Sequence, residues 1–249
     1  MKIHVAVILL LLGTLLMAER INVAVAANVS YVMDALKQEF YKQFPETEIR
    51  VILGSTGKLA AQIQHGAPYD IFMAANMTYP QTLYEKGLGV GKPQIYAKGS
   101  LAYFSVHEHN MTQGMSLLTS RSIHTIAIAN PKTAPYGAAA IQALRASHCY
   151  EAVKDKLVFG ESVSQSVAYV LHAADIGIIA TSALYSPKMQ RFRQKRYWSE
   201  VDRTLYAPIE QGIIVLKRAQ HSQAAQDFYA FMLGSRAQHI LHQSGYLLP

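Results

Sequence analysis

Residues 48–73 read EIRVILGSTGKLAAQIQHGAPYDIFM and contain two apolar runs separated by a helical pattern. The runs at 48–53 and 69–73 have the length and the apolar character of buried strands. Residues 57–65 place apolar side chains at helical spacing between them. Strand, helix and strand in this order predict a parallel sheet that is covered by helices on both faces.

The same alternation continues on both sides of this stretch, in two series. Further strands are predicted at 21–27, 101–106, 125–130, 156–159, 176–180 and 212–216. Further helices are predicted at 30–44, 77–86, 137–147, 162–173 and 223–233, with a last short helix near Gln238. Two α/β series in one chain indicate two lobes. We predict that lobe 1 comprises residues 19–97 plus 208–249 and lobe 2 residues 98–207, with chain crossings near 96–100 and 204–211.

The first 18 residues are typical of a signal peptide. Lys2 gives a positive start, and residues 5–17 form an apolar run of export-signal length, which is shorter than the about 20 residues of a typical transmembrane helix. We expect cleavage after Ala18 and a periplasmic location, and an uncleaved membrane anchor is the alternative. Removal of Lys2 lowers the formal net charge from +7 to +6, which still favours an anionic partner.

Cysteine content limits the chemistry of the chain. Cys149 is the only cysteine, which excludes an intramolecular disulfide framework, a thiolate zinc cluster and an iron–sulfur cluster. Two histidines at His107 and His109 have no third ligand at a helpful spacing, so a polar loop is expected there. The basic and aromatic segment 191–198 is interpreted as an exposed surface of an exported protein, without nucleic acid as a partner.

Small and hydroxyl residues occur where predicted strands give way to helices. Residues 26–30 (AANVS) precede the first helix and residues 54–57 (GSTG) precede the second. Open α/β sheets bind ligands at the carboxyl ends of their strands. Free N–H groups in the first turn of a helix, together with the helix dipole, favour an anion at such a junction. Ordinary helix capping is the alternative interpretation of each segment.

The chain resembles the periplasmic molybdate-binding proteins of ABC importers over nearly all of its predicted mature length. Residues 54–72 (GSTGKLAAQIQHGAPYDIF) carry the most specific part of the resemblance. Supporting stretches are 130–138, 161–163, 176–178 and 237–247. The resemblance implies the α/β, two-lobed type II periplasmic-binding-protein fold, in which each lobe is a mostly parallel sheet flanked by helices and the ligand lies in the interlobe cleft.

The resemblance also implies an oxyanion site made of neutral hydrogen-bond donors. By position, it assigns to the site the residues Asn28, Ser55, Thr56, Tyr136, Val163, Ala180 and Thr181. Asn28 stands where the family usually has a serine, and Ala180 where it commonly has a tyrosine. We hypothesise that the hydroxyl of Tyr136 replaces that missing phenol, with Thr181 as the second candidate.

The function implied is high-affinity binding of molybdate or tungstate, without catalysis and without a cofactor or metal other than the anion. A monomer that delivers the anion to a membrane permease and an ATPase is expected. The alternatives are a receptor for sulfate, phosphate or phosphonate, and an anion-sensing domain that signals to a membrane partner. An exported enzyme would need a nucleophile or an acid–base pair at the junctions, and the sequence places none there.

Overall fold

The computed structural model describes residues 19–249, so the predicted signal peptide and its cleavage site lie outside the described residues. The strands are β1 (Glu19–Ala26), β2 (Thr47–Gly54), β3 (Ile71–Met73), β4 (Gly89–Gly99), β5 (Leu101–Phe104), β6 (Ile126–Ala129), β7 (Leu157–Gly160), β8 (Ile176–Ala180), β9 (Trp198–Glu200) and β10 (Ile209–Leu216). The helices are α1 (Met33–Tyr41), α2 (Thr56–Gln64), α3 (Thr78–Glu85), α4 (Pro135–Ala146), α5 (Tyr150–Val153), α6 (Val163–His172), α7 (Thr181–Leu184), α8 (Gln223–Leu233) and α9 (Ser235–Gln243). They build two separate five-stranded sheets.

Within each sheet, four of the five strands run in the same direction and one strand runs against them. The strand orders are β2-β1-β3-β10-β4 and β7-β6-β8-β5-β9. In the first sheet β10 is antiparallel to both of its neighbours, and in the second β5 is antiparallel to both of its neighbours. These are the strands by which the chain enters each sheet directly from the other. Each of them begins beside the carboxyl ends of the parallel strands. It must therefore run in the direction opposite to those strands.

The two sheets therefore face each other with the carboxyl ends of their parallel strands. The chain leaves β4 at Gly99 and enters β5 at Leu101, and it returns to the first sheet at Ile209. Leu101 pairs with Ala180 at the end of β8, and Ile209 pairs with Gly99. We propose that the two units that move relative to each other are residues 19–97 with 208–249 and residues 98–207.

Apolar side chains cover the sheets on both faces, as the continuous apolar strands predicted. On one face of the first sheet, Phe40 packs edge-on against Phe228 and Phe231 with ring centroids 5.3 and 5.5 Å apart. On its other face, a separate core contains Leu59 and Phe72. The second sheet belongs to a third core, which is continuous across both of its faces. Each lobe is thus a sheet between helical layers.

Three local expectations were wrong. Segment 191–198 is not exposed throughout, because Phe192 and Trp198 are buried and Trp198 begins the unpredicted strand β9. The predicted helix 30–44 is divided into a 3-10 turn, Ala27–Tyr31, and the shorter helix α1. Strand β4 was not predicted at all, because its residues 89–93 (GVGKP) include two glycines and a proline. β4 lies at the edge of its sheet, where a proline need not donate a ladder hydrogen bond.

Within residues 19–249, no helix has the length and apolar character needed to cross a membrane. The same described residues hold no group of three or more histidine, cysteine, aspartate or glutamate side chains that could bind a metal ion.

Candidate anion-binding site

The seven predicted site residues lie at five junctions that follow β1, β2, β6, β7 and β8. Asn28 is in the Ala27–Tyr31 turn, Ser55 and Thr56 begin α2, Tyr136 is in the first turn of α4, and Val163 begins α6. Ala180 ends β8 and Thr181 begins α7. All seven are buried, with at most 4% of their surface exposed. They lie on the facing edges of the two sheets.

The start of α2 contacts the second lobe directly. The backbone N–H of Gly57 donates to the carbonyl of Thr133, just before α4, at 2.8 Å. The ammonium of Lys58 is 2.6 Å from the carboxylate of Glu161, just before α6. The Lys58 side chain is half-exposed and spans the two lobes. These contacts bring the junctions after β2, β6 and β7 together.

The Ala27–Tyr31 turn contacts the second lobe at two further junctions. The hydroxyl of Ser164, in the first turn of α6, donates to the carbonyl of Ala27 at 2.8 Å. The hydroxyl of Ser182, in α7, lies 3.3 Å from the carbonyl of Asn28. The junctions after β1, β7 and β8 therefore also meet, so that all five surround one region between the lobes.

Ser55 has a buried hydroxyl group with no hydrogen-bond partner among residues 19–249. It is 3% exposed, it occupies the N-cap position of α2, and its side chain makes no capping hydrogen bond. Its Oγ is one of two buried side-chain polar atoms in the described residues that have no hydrogen-bond partner. A buried polar group without a partner costs about 1–3 kcal/mol, so native proteins nearly always pair it. This hydroxyl is therefore available to a ligand.

Thr56 differs from its neighbour, because its hydroxyl is already engaged. Thr56 Oγ1 accepts a hydrogen bond of 3.0 Å from the N–H of Ala75, just after β3. The hydroxyl proton itself can still be donated, since the bond from Ala75 uses only a lone pair. Thr56 can thus bind an anion while it holds the start of α2 against the end of β3.

Both amide N–H groups of Asn28 donate hydrogen bonds within the protein. Its Nδ2 donates to Oε1 of Gln211 and to the hydroxyl of Tyr246, each at 2.9 Å. The Tyr246 hydroxyl in turn donates to the carbonyl of Asn28 at 2.9 Å. The sequence suggested that this carboxamide could donate to the anion. The geometry instead uses it to attach the first turn to β10 and to the C-terminal segment.

Tyr136 extends from α4 to the crossing between the lobes. Its hydroxyl accepts a hydrogen bond of 3.3 Å from Nε2 of Gln211, and a Cβ atom at Gly99 would collide with it. Burial raises the pKa of Tyr136 well above its ordinary value, and the nearby Tyr246 and Tyr96 raise it further. The phenol therefore stays protonated and can act as a donor. Its backbone N–H lies in the first turn of α4, where no intrahelical partner exists.

The remaining predicted positions, Thr181, Val163 and Ala180, offer the cleft no free side-chain donor. Thr181 donates both its N–H, at 2.9 Å, and its hydroxyl, at 3.1 Å, to the carbonyl of Ser100 at the crossing. Val163 begins α6, whose cap Ser162 accepts from the N–H of Gln165 at 3.3 Å. Ala180 supplies no polar side-chain atom.

Two residues of this region, Gln211 and Tyr246, were missed by the sequence analysis. Both are fully buried and both contact Asn28. Gln211 is a polar residue inside the apolar run of β10 (IEQGIIVL), and that contrast was the signal that could have identified it.

None of the seven predicted positions carries a charged side chain, and all of them are withdrawn from solvent. Two sheets joined by crossing strands, with several helix starts converging between them, define a two-lobed receptor for a small solute. Neutral donors in such a cleft suit an anion.

Comparisons with known proteins agree with this class. The family model described as bacterial extracellular solute-binding protein matches residues 21–247. The molybdate-binding protein ModA of Azotobacter vinelandii is 35% identical over 95% of this chain and 93% of its own length. ModA of Rhodobacter capsulatus is 31% identical over 92% of this chain and 89% of its own.

The structural comparison confirms the predicted fold. The periplasmic molybdate-binding protein of Azotobacter vinelandii superposes with a TM-score of 0.84 at 27% identity, covering 92% of this chain and 99% of that one. The chain belongs to the bacterial extracellular solute-binding protein family and has its two-lobed type II fold.

Proposed function

We propose that this protein binds molybdate or tungstate between its lobes and delivers it to an ABC importer. The observation that carries the proposal is the Ser55 hydroxyl at the start of α2, in the region where five junctions meet. It is buried and has no hydrogen-bond partner in the described part of the chain. Support for the identity of the anion comes from the ModA relatives, whose names state molybdate binding.

Neutral donors are sufficient for tight binding. A hydrogen bond to a charged group contributes about 1.5–3 kcal/mol. Micromolar to nanomolar binding requires about 8–12 kcal/mol, so a handful of such bonds accounts for it. Because the donors belong to two lobes, only the closed arrangement presents them together, and closure is the signal we propose for the transporter.

The proposed setting follows from the same relatives. The chain would be exported by residues 1–18, cleaved after Ala18, and act as a monomer in the periplasm. Its partners would be a membrane permease and an ATPase. The anion is the cargo, and the protein carries out no catalysis on it.

Titration calorimetry of the chain from residue 19 with molybdate, tungstate, sulfate and phosphate tests the ligand. We expect heat and saturation with molybdate and tungstate. If only sulfate or phosphate binds, the ligand is a different oxyanion from the one proposed. The absence of binding to all four anions would overturn the proposed function.

The role of the Tyr136 hydroxyl is tested by comparing two substitutions. We expect Tyr136→Phe to lower molybdate affinity, because the phenol would replace the tyrosine that the family has at the position of Ala180. Thr56→Ala should also lower it, because that change removes a hydroxyl donor at the start of α2. If Tyr136→Phe binds molybdate as well as the unaltered protein does while Thr56→Ala loses binding, the compensation hypothesis is wrong.

A further inference from the structure

Gln211 occupies the place where both lobes and the crossing strands meet. It lies in β10 beside the crossing, pairs in register with Ala97 of β4, and is fully buried. A glutamine side chain has two N–H donors and one carbonyl oxygen with two lone pairs. A buried amide is stable only when these groups find partners.

All four hydrogen-bonding positions of the Gln211 amide are used. Oε1 accepts from Nδ2 of Asn28 at 2.9 Å and lies 3.5 Å from the hydroxyl of Tyr96. Nε2 donates to the hydroxyl of Tyr136 and to the carbonyl of Ile209, each at 3.3 Å. The amide therefore connects Asn28 of the first lobe with Tyr136 of the second.

The carbonyl of Ile209 fixes which way this amide faces. If the amide were reversed, its oxygen would point at the Ile209 carbonyl oxygen, and two acceptors would meet without a proton between them. Oε1 must therefore face Asn28, and Asn28 must turn its Nδ2 toward it. The second N–H of Asn28 then goes to Tyr246, whose own proton is donated to the carbonyl of Asn28.

We propose that Gln211 is a positioning residue for anion binding, which sets the orientation of Asn28 on one lobe and of the Tyr136 phenol on the other. It acts on the ligand only through the Tyr136 phenol and through the backbone of the Ala27–Tyr31 turn, which the Asn28 side chain attaches to β10. This inference rests on the proposed function, since it concerns the same site.

The test measures molybdate affinity in Gln211→Met and Gln211→Glu. Methionine keeps the approximate size of the side chain but has no amide, so Asn28 and Tyr136 lose their common partner. We expect the molybdate affinity of Gln211→Met to fall about tenfold or more. Its unfolding free energy without anion is measured separately by urea titration. A purely structural role would change that unfolding energy and leave the affinity of the folded protein unaltered.

Gln211→Glu adds a pH profile that a structural role would not produce. A protonated glutamic acid offers a carbonyl toward Asn28 and an O–H toward Tyr136 or Ile209, as the amide does. An ionised carboxylate has no proton to donate there. We expect affinity relative to the unaltered protein to be nearly restored at about pH 5 and to fall toward about pH 8, because burial raises the pKa of a carboxyl group.

The matched control is Gln220, which is exposed at the surface. Gln220→Met and Gln220→Glu should bind molybdate like the unaltered protein at every pH. If both Gln211 variants also do so, the positioning role is wrong. If the unaltered protein binds no oxyanion, the proposed function itself is wrong. This outcome differs from a wrong positioning role, in which the unaltered protein and both Gln211 variants bind molybdate equally.

Discussion

Ser55 and Thr56 are adjacent in sequence, but their hydroxyl groups have different partners. Thr56 Oγ1 accepts from the N–H of Ala75, whereas Ser55 Oγ has no partner among the described residues. In sequence the two residues are equivalent hydroxyl donors at one junction. Only the fold distinguishes the hydroxyl that lacks a partner within residues 19–249 from the one that also holds the backbone.

This difference predicts separate effects of Ser55→Ala on binding and on stability. Loss of one hydrogen bond to the anion, about 1.5–3 kcal/mol, should weaken molybdate binding by roughly 10-fold to 150-fold. The unfolding free energy of the chain from residue 19 without anion should not decrease, because the hydroxyl has no hydrogen bond to lose within those residues. Calorimetry and urea unfolding measure the two quantities.

Thr56→Ala is the matched comparison for Ser55→Ala. It leaves the buried N–H of Ala75 unpaired and should therefore lower the unfolding free energy by about 1–3 kcal/mol, in addition to weakening binding. Unaltered molybdate affinity in Ser55→Ala would show that Ser55 does not contact the anion.

At the scale of elements, one carboxylate fastens the beginnings of two neighbouring strands. Asp175 precedes β8, and its Oδ2 accepts hydrogen bonds from the N–H of His124, at 2.7 Å, and of Thr125, at 2.9 Å, just before β6. The hydroxyl of Thr125 approaches the same oxygen at 3.2 Å. Burial raises the pKa of Asp175, but these hydrogen bonds outweigh it and hold the pKa below its ordinary value.

The lowered pKa gives a pH prediction of definite sign. A carboxyl group with a lower pKa in the folded state stabilises the fold above its unfolded pKa of about 3.9. This contribution is lost as the pH falls through the folded pKa. Urea unfolding of the unaltered protein and of Asp175→Asn should differ near neutral pH and converge in acid. A difference that stays constant down to about pH 2 would contradict this assignment.

Asp70 shows the limit of the same reasoning from sequence. From its place inside an apolar run, Asp70 is interpreted as a structural carboxylate that orients the backbone at the hinge between lobes. It is structural, since it accepts from the N–H of Asn22 at 2.7 Å and pairs with Arg218 at 3.0 Å. However, it precedes β3 and therefore lies at the opposite edge of the sheet from the cleft. Its position followed from strand direction, which the apolar pattern alone did not specify.

At the scale of the whole molecule, contacts between the lobes set the free energy of the arrangement that binds the anion. The pair formed by Lys58 and Glu161 is the charged contact between the lobes among the described residues, and both side chains are about half exposed. An exposed ion pair contributes about 0–1 kcal/mol. Its influence on affinity should accordingly be small and sensitive to salt.

Lys58→Glu places like charges across the cleft and should disfavour the closed arrangement. We expect up to about a fivefold loss of molybdate affinity at low salt and a smaller loss at high salt. The double variant Lys58→Glu with Glu161→Lys restores opposite charges and should regain most of the affinity. If the double variant binds as weakly as the single one, the effect does not come from this pair.

The sequence by itself determined the α/β class, the two series of elements, the family and the junctions where an anion can bind. These features depend on periodicity and on short motifs, which neighbouring residues specify. The tertiary structure alone decided that the Ser55 hydroxyl has no partner among the described residues, and that the Asn28 side chain donates to Gln211 and Tyr246. Asn28 lies 183 positions before Gln211 and 218 before Tyr246. Contacts at such separations depend on which strands pair and in which direction they run, and no local pattern encodes that.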